Sequence, residues 1–474
     1  MPARETGPFP RAVLDVLGAA ADRPVFEHGT RVVTGAELLG LVARIATGLR
    51  SRGIGPGDGL ALLLGVNPEA FAAILAAHAV GARVVGVRPG LTDAQVWHLL
   101  GLDITAVVTD AEDDELGSAL PRLDVATLLA SPADTPECAG RPDDVARLIH
   151  TSGSTGAPKA CAQTYASLSH AWNVRPDAWP PVIGDLATRL DRYLVFGSLS
   201  SYVMFEYAVL TLTAGGTVVA AGNPADAITR LRATARVITV PGLAKLVAAQ
   251  KSDPADLSTL KALLVSGSPL TPERHREALE VLGPVVFHGY GQTETGMISM
   301  AGPADRPGTV GTPPTDVEIR DGELFVRTPA QASSYWDNPE ESAEVFVDGW
   351  VRTRDLGRFD DDGNLVLTGR ARDVVIVNAN LHYIGPIEHA IAEHPDVAEA
   401  YVVAVPDDET GEAVHAFVVP RADRVPELGE LRELVAHRVG AACAPVRVTA
   451  IAEPPVAPSG KPDKRQLAKL IGTA

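Results

Sequence analysis

The sequence is poor in cysteine, and its three cysteines, Cys138, Cys161 and Cys443, are scattered along 474 residues. They form no C-x-x-C pair and no spacing typical of a metal site, so neither a disulfide framework nor a structural zinc site is expected. Unpaired cysteines are typical of proteins from a reducing compartment. The sequence therefore predicts a cytoplasmic protein.

Long hydrophobic runs and an excess of positive charge are also lacking. The run GLALLLGV is far too short to span a bilayer, and the first residues, MPARETGPFPRAVLDVL, lack the apolar core of a signal peptide. Acidic residues outnumber basic ones by 59 to 41, which gives a net charge of −18. Such a surface repels nucleic acids and anionic membranes, so we expect neither as a partner. A bound polyphosphate would need local cations or a metal ion.

The length and the hydrophobic pattern predict an α/β fold with more than one domain. A chain of 474 residues is too long for a single core, and a hydrophobic content of 46% is typical of globular proteins. Helical periodicity in GAELLGLVARIATGLRSRG is followed by the strand DGLALLLGV, the helix NPEAFAAILAAHAVG and the strand ARVVGV. This alternation indicates a large domain of parallel or mixed sheets with flanking helices.

The pattern changes from about Val310 onward. The short strands DVEIR, GELFVRT and GNLVLTG predict a smaller β-rich subdomain. After TGRARDVVIV, two helices, GPIEHAIAEH and ELGELRELVAHRVG, accompany the strands EAYVVAVP and AVHAFVVP. This last part predicts a small α+β domain of roughly one hundred residues, within the usual size range.

The stretch HTSGSTGAPKACAQTY, residues 150–165, has the composition of a phosphate-binding loop. It follows VARLIH, an apolar run that predicts a buried strand. Its glycines can expose successive backbone N–H groups, and its hydroxyls and lysine add further donors. The candidate residues are Thr151, Ser152, Gly153, Ser154, Thr155, Gly156 and Lys159. No Walker string passes through them, and for this stretch alone an ordinary surface loop is the alternative.

Three further stretches carry groups that suit a nucleotide. FHGYGQTETG contains Tyr290, which could stack on a purine, and Glu294, a carboxylate suited to Mg²⁺. Asp355 and Arg370 flank a predicted hairpin in DGWVRTRDLGRFDDDGNLVLTGRARD, where a carboxylate can accept both hydroxyls of a ribose. PVAPSGKPDKRQL places Lys461 in a loop rich in proline and glycine. Taken singly, each stretch has an ordinary alternative: an exposed turn, a solvated aspartate or a solvated lysine.

In combination and in this order, these stretches resemble the motifs of the adenylate-forming superfamily of acyl-CoA synthetases, peptide-synthetase adenylation domains and luciferases. TSGSTGAPK is similar to its phosphate loop, SGSP to its adenine-side loop and GYGQTE to its adenine and Mg²⁺ motif. DGWVRTRDLG and GRARD resemble its ribose-binding segments, and PSGK the segment of its catalytic lysine. The resemblance covers nearly the whole chain. Besides the phosphate loop, it implies a nucleotide site made of Gly267, Ser268, Pro269, Gly289, Tyr290, Gly291, Gln292, Asp355 and Arg370.

The resemblance implies a reaction in two halves, with ATP and Mg²⁺ as cofactors. A small carboxylic acid attacks the α-phosphorus of ATP, giving acyl-AMP and pyrophosphate, and an acceptor then displaces AMP. Because the attack joins two anions, positioned cations and donors lower its barrier. The implied catalytic residues are Lys461, Glu294, Thr293 and Lys159, and the implied metal ligands are Glu294 and Thr151.

The resemblance also implies a division of the chain into two moving parts. Residues 1–371 would form the adenylation core, and residues 372–474 a mobile lid that carries Lys461. The hinge is expected at Arg372.

Two positions depart from the usual pattern of the superfamily. Thr353-Arg354-Asp355 replaces the usual Thr-Gly-Asp and adds a cation next to the ribose contact. Ala379 stands where a glycine usually lines the route of the pantetheine thiol, and its methyl group would crowd a narrow tunnel.

Three functional classes follow from these motifs. The chain could be an acyl-CoA or acyl-carrier-protein ligase, an amide bond synthetase, or a nucleotide-binding protein without activity. Retention of the catalytic motif residues argues against the last class. The superfamily's commonest reaction favours a thiol acceptor, whereas Ala379 favours a small amine, which we prefer. His382, on the same segment, is either a base for aminolysis or an ordinary packing histidine.

The acid pocket is expected around Ser200, Ser201 and Tyr202. Alignment through SLSSYVMFE, anchored at Glu206, places Ser201 where amino-acid-activating domains carry an aspartate. Burying an α-ammonium group without a carboxylate partner is costly, so an amino acid is not expected as the substrate. We expect an aryl or heteroaryl acid, or a short functionalised one.

Overall fold

The structure is a computed structural model that describes residues 7–88, 91, 93–110, 120–151, 159–221, 227–267, 270–371, 373–378, 380–407, 409–421, 424–457 and 461–471. Within this part of the chain the strands are β1 (Pro24–His28), β2 (Arg31–Thr34), β3 (Gly59–Leu63), β4 (Arg83–Gly86), β5 (Ala106–Thr109), β6 (Arg122–Asp124), β7 (Val145–Thr151), β8 (Lys159–Thr164), β9 (Arg192–Val195), β10 (Thr217–Ala220), β11 (Ala235–Ile238), β12 (Ala262–Val265), β13 (Val286–Gln292), β14 (Gly296–Ala301), β15 (Asp316–Arg320), β16 (Glu323–Arg327), β17 (Ser334–Tyr335), β18 (Phe346–Val347), β19 (Trp350–Phe359), β20 (Leu365–Arg370), β21 (Val374–Val377), β22 (Asn380–Tyr383), β23 (Val397–Asp407), β24 (Gly411–Pro420) and β25 (Arg447–Ala450).

Several helices of the described part begin at a residue whose side chain caps the first turn. They are α1 (Arg11–Ala19), α2 (Gly35–Arg50), α3 (Pro68–Ala79), α4 (Asp93–Leu100), α5 (Val125–Leu129), α6 (Tyr165–Ser169), α7 (Pro181–Ala187), α8 (Tyr202–Thr213), α9 (Ala227–Arg230), α10 (Val240–Ser252), α11 (Pro272–Leu282), α12 (Pro339–Val345), α13 (Ile384–Ala392), α14 (Leu428–Arg438) and α15 (Lys464–Leu470). Asn67 caps α3, because its side chain accepts a hydrogen bond from the Ala70 amide at 2.7 Å. No helix of this part is long and apolar enough to cross a membrane.

Two large sheets form the bulk of the molecule. One has the order β14-β13-β12-β11-β9-β10-β1-β2 and the other β17-β8-β7-β4-β3-β5-β6. Most of their inner strands are parallel, but β8 runs antiparallel to β7, and the antiparallel strands β2, β14 and β17 lie at the edges. Helices α3 and α8 are buried almost all round, and one apolar cluster joins them to strands of both sheets. The alternation read from the sequence is therefore confirmed as a mixed-sheet α/β core.

Two smaller sheets complete the fold. Strands β15, β16, β18, β19 and β20 form an antiparallel sheet, which is the predicted β-rich subdomain. Strands β21–β25 form a separate sheet that packs with α13 and α14 around its own apolar core. The predicted fold class is confirmed, including the small C-terminal α+β unit. The exact boundary between residues 371 and 372 stays a prediction.

Candidate functional site

Asp355 lies buried at the centre of a hydrogen-bonded cluster at the edge of the first large sheet. Its Oδ2 accepts hydrogen bonds from Tyr290 Oη at 2.7 Å and from Gln292 Nε2 at 2.6 Å. Arg370 Nε lies 3.0 Å from its Oδ1, because Asp355 and Arg370 face each other across the β19–β20 hairpin. Burial and the neighbouring Asp355 carboxylate raise the pKa of the Tyr290 phenol well above its ordinary value. Tyr290 is therefore a hydrogen-bond donor that holds the aspartate.

Strand β13 brings this cluster together by turning tightly into β14. A Cβ atom at Gly291 would lie 2.4 Å from the Gly296 carbonyl oxygen, so only glycine allows the two strands to approach this closely. The Tyr290 ring packs with Ile298 and Leu324 in a small apolar cluster. Its proposed stacking on a purine stays a prediction, as do the nucleotide contacts of Gly289 and Gly291.

Lys461 reaches this site from the C-terminal unit. Its Cε lies 3.7 Å from the position that a Cβ would take at Gly267, on the adenine-side loop. Lys461 is classed as exposed over the whole residue. Its ammonium group is nevertheless surrounded by protein atoms, and this burial, together with the Arg370 guanidinium, lowers its pKa. Asp355 and Glu294 act in the opposite direction, which places Lys461 in the field of both carboxylates. The structure thus brings the predicted catalytic lysine to the predicted nucleotide site.

Glu294 and Thr293 lie in the turn between β13 and β14. Tyr335 Oη donates a hydrogen bond to Glu294 Oε1 at 2.6 Å, and Gln163 Nε2 reaches the Thr293 carbonyl oxygen at 3.5 Å. A carboxylate held in this way fits the expected Mg²⁺ ligand, because Mg²⁺ is usually bound through one or two carboxylates and the phosphates of the substrate. Thr151, the second expected ligand, ends β7 opposite Lys159 of β8.

Lys159 is buried and already holds a carboxylate. Its Nζ lies 2.5 Å from Glu341 Oε1 and 5.4 Å from the centre of the Tyr335 ring. Arg354 binds the same carboxylate through Nη1. Burial raises the pKa of the Glu341 carboxyl, but the hydrogen bonds from Lys159 and Arg354 outweigh it and lower that pKa to about 2. Glu341 is therefore ionised at neutral pH.

The expected acid-pocket residues lie at the start of α8, and β4 approaches them closely. A Cβ at Gly86 would lie 2.7 Å from Ser200 Cβ, so β4 can pass here only with a glycine. Ser201 occupies the N-cap position of α8. The guanidinium of Arg147 lies 4.0 Å above the Tyr202 ring. The three residues thus lie together at the N-terminus of α8, with the buried Arg147 against the ring of Tyr202, and their role in acid binding stays a prediction.

Several predicted residues lie outside the described part of the chain. They are Ser152, Gly153, Ser154, Thr155, Gly156, Ser268, Pro269, Arg372 and Ala379. His382 is described: it faces Val375 across the β21–β22 pair, and its Nε2 is buried without a hydrogen-bond partner among the described residues.

The sequence predicts that Arg354 adds a cation next to the ribose contact, but the side chain does not point there. Its backbone adopts a left-handed conformation, with φ of 60°, and its side chain turns to α12. There it binds Glu341 and also Glu344, whose Oε2 lies 2.9 Å from Nη2. The extra cation therefore belongs to the Lys159 side of the site.

Sequence reasoning missed Tyr335, Glu341 and the buried Arg147. Tyr335 and Glu341 lie about 180 positions from Lys159 and carry no local motif, so only the fold unites them. Arg147 and Glu206 had a usable signal, since each is a lone charge within an apolar run. They lie 4.0 Å apart, and Arg147 also donates to Gln163 Oε1.

Comparison with known proteins shows which family the chain belongs to. Residues 16–336 match the model of the AMP-binding enzyme family, and residues 386–461 match the AMP-binding enzyme C-terminal domain. The structure of amide bond synthetase McbA from Marinactinospora thermotolerans is similar, with a TM-score of 0.84 and 32% identity over 97% of this chain and 99% of that one.

Two curated relatives are named as a CoA synthase and as an acyl-carrier-protein ligase. A feruloyl-CoA synthase from an Amycolatopsis species is 31% identical over 94% of this chain and 95% of its own length. The fatty acid–[acyl-carrier-protein] ligase ScoC from Streptomyces coeruleorubidus is 29% identical over 90% of this chain and 89% of its own length. With motifs, fold and family models in agreement, this chain belongs to the AMP-binding enzyme family and is an ATP-dependent, AMP-forming acid ligase.

Proposed function

We propose that the chain activates a small aryl or heteroaryl acid as its acyl-AMP and then transfers the acyl group to an amine. The observation that carries the first half is the meeting of Lys461, from the C-terminal unit, with Asp355 and Arg370 of the β-rich sheet. Such a meeting supplies a cation where two anions must react. The choice of an amine as the acceptor rests on separate observations, which are given below.

In the first half, a carboxylate oxygen of the acid attacks the α-phosphorus and pyrophosphate leaves with the electrons of the broken P–O bond. Asp355 accepts hydrogen bonds from the ribose hydroxyls, and Lys461 lies between the two reacting anions. Lys159 and the loop 151–156 hold the β- and γ-phosphates. Glu294 and Thr151 would hold Mg²⁺, which supplies further positive charge to the phosphates.

In the second half, the amine nitrogen attacks the acyl carbon, the C–O bond to AMP breaks, and the nitrogen loses a proton. Ala379 supports this acceptor, because a methyl group would crowd the pantetheine route that the family resemblance implies. The similarity to amide bond synthetase McbA points the same way. His382 is the candidate base, since a neutral imidazole nitrogen can accept the proton that the amine loses. The alternative, a thioester-forming ligase, is supported by the names of the curated relatives.

The acid class follows from the wall formed by α8. Ser201 offers no carboxylate to an α-ammonium group, which argues against amino acids. Tyr202 offers an aromatic face whose far side is covered by Arg147. The relative named for feruloyl-CoA also handles an aromatic acyl group.

The domain division 1–371 and 372–474, with its hinge at Arg372, is part of the same proposal. In the present orientation, Arg274 of α11 lies 2.6 Å from Glu399 of β23, and Lys245 lies 2.8 Å from Glu453. Both pairs join the two parts while Lys461 is in the site. We take this orientation as the one that forms acyl-AMP.

The first experiment tests acid activation. Pyrophosphate exchange is measured over a panel of aryl, heteroaryl, fatty and amino acids, with wild type, Lys461→Ala and the control Lys469→Ala, which alters an exposed lysine of α15. Removal of the site lysine should slow exchange by roughly a hundredfold or more, the range seen for other electrostatic stabilisers, while preformed acyl-AMP is still consumed. Exchange at the wild-type rate in Lys461→Ala would disprove the assignment.

The second experiment tests the acceptor. Acyl-AMP is supplied to wild type and Ala379→Gly, and amide and thioester products are counted separately with amines and with CoA. We expect wild type to favour amide, and the glycine variant to gain thioester. Rapid acyl-CoA formation by wild type, with no gain in the variant, would show an ordinary thioester-forming ligase.

A further inference from the structure

Glu341 is shared by two cations from different parts of the core. Lys159 Nζ and Arg354 Nη1 each lie 2.5 Å from its Oε1. The three side chains are only 7%, 16% and 14% exposed for Lys159, Arg354 and Glu341. Charged groups this far from water depend on one another for compensation.

Arg354 reaches Glu341 because of its unusual backbone. Its φ of 60° lies in the left-handed region, which normally favours glycine, and this turns the side chain from β19 toward α12. Glu341 and Glu344, three residues apart on α12, both face it. Arg354 is thus anchored by a second carboxylate, that of Glu344.

The shared contact lowers the free energy that is needed to separate Lys159 from Glu341. If Lys159 were the only partner, an incoming phosphate would strip a buried carboxylate of its counter-ion, which is strongly unfavourable. With Arg354 in place, Glu341 keeps a cation after Lys159 has moved. Arg354 also weakens the hold of Glu341 on Lys159, because one carboxylate oxygen serves both.

We propose that Arg354 is a positioning residue that releases Lys159 to the β- and γ-phosphates of ATP by remaining as the counter-ion of Glu341. The proposal rests on the phosphate-binding role given to Lys159 above. It predicts an effect on the binding of polyphosphate and little effect on the chemical step.

The test compares Arg354→Gly, Arg354→Lys and wild type. Glycine suits the left-handed backbone, so the first variant removes the side chain without adding strain. We expect Arg354→Gly to raise the Kd and KM for ATP, and the KM for pyrophosphate, by roughly threefold to tenfold with kcat nearly unchanged. Arg354→Lys should restore part of the loss. Arg352→Ala, which breaks a carboxylate pair with Glu323 on the same strand, is the matched control and should leave these values unchanged.

A double-mutant cycle identifies the route of the effect. In Glu341→Gln the lysine has no carboxylate to leave, so adding Arg354→Gly should change the Kd for ATP by less than about twofold. An equal effect of Arg354→Gly in both backgrounds would overturn the proposal in favour of direct attraction between Arg354 and phosphate. Unchanged ATP affinity in Arg354→Gly, or a fall in kcat alone, would also overturn it. ATP binding is measured by calorimetry without the acid substrate. A failure of the Arg354 proposal can therefore be told apart from a failure of the proposed acid activation, which would appear as a lack of pyrophosphate exchange by wild type.

Discussion

Replacing Glu206 by glutamine removes a carboxyl group that lies inside helix α8 and is only 5% exposed. Arg147 Nη2 is 4.0 Å from its Oε1, too far for a hydrogen bond, and no described residue donates one to that oxygen. Burial raises the pKa of Glu206 to about 7, although Arg147 and the Tyr202 hydroxyl pull it down. At neutral pH this group is therefore poised between its neutral and charged forms.

The raised pKa makes stability depend on pH in a defined direction. Between pH 4.5, where an ordinary glutamate titrates, and pH 7, the folded chain holds a proton that the unfolded chain has released. The stabilisation is complete below about pH 4.5 and is lost as the pH rises through 7. At 1.36 kcal/mol per pH unit, the loss over this window is about 3 kcal/mol. Glutamine cannot ionise, so Glu206→Gln should lack this loss.

Thermal denaturation of both proteins from pH 5 to pH 8 measures the difference. For a chain of 474 residues the unfolding entropy is about 1 kcal/mol per kelvin, so the melting temperature of wild type should fall by about 3 °C more than that of the variant. Glu280→Gln, at an exposed position of α11, should parallel wild type. Parallel curves for wild type and Glu206→Gln would show that Arg147 keeps the carboxylate charged throughout.

Two further substitutions test the hydrogen bond to Glu294 and an ion pair between the two proposed parts of the chain. Tyr335→Phe keeps the ring near Lys159 but removes the 2.6 Å hydrogen bond to Glu294, so kcat for pyrophosphate exchange should fall about tenfold without loss of melting temperature; an unchanged kcat would refute the contact's importance. Glu399→Gln breaks the pair with Arg274, both of whose side chains are 12% exposed, and should slow acyl-AMP formation about tenfold or more, while consumption of preformed acyl-AMP stays at the wild-type rate. Equal slowing of both half-reactions would argue against a role in domain orientation.

The elements that could be predicted from the sequence are those with local signals. Helix α3 combines an Asn67 cap, a proline in its first turn and an apolar body, and it forms where these residues predict it. The Asp355–Arg370 contact could also be anticipated, because a short hairpin places the two residues opposite each other. In both cases the deciding interactions lie within about fifteen residues.

The charge network around Lys159 could not be predicted in this way. Arg354 follows Thr353 and precedes Asp355, and the sequence alone places its charge beside the ribose contact. The left-handed φ at this one residue sends the side chain to the opposite side, toward Glu341. Backbone conformation at a non-glycine residue is set here by tertiary contacts, which local pattern does not encode.

On the roles proposed above, ATP binding replaces one anionic partner of Lys159, the Glu341 carboxylate, by another, the phosphates of ATP. Lys159 and Arg354 are paired with Glu341, and Arg370 is paired with Asp355, inside a chain whose net charge is −18. A carboxylate, the ionised form of the acid substrate, gains little by displacing Glu341 because it carries no more charge than the group that it replaces. A polyphosphate brings several charges to one position and can win Lys159 from Glu341 while Arg354 keeps that carboxylate paired. If Lys159 binds the phosphates as proposed, this pairing would favour ATP over the acid substrate at the phosphate side and leave the acid to the pocket predicted around Ser200, Ser201 and Tyr202.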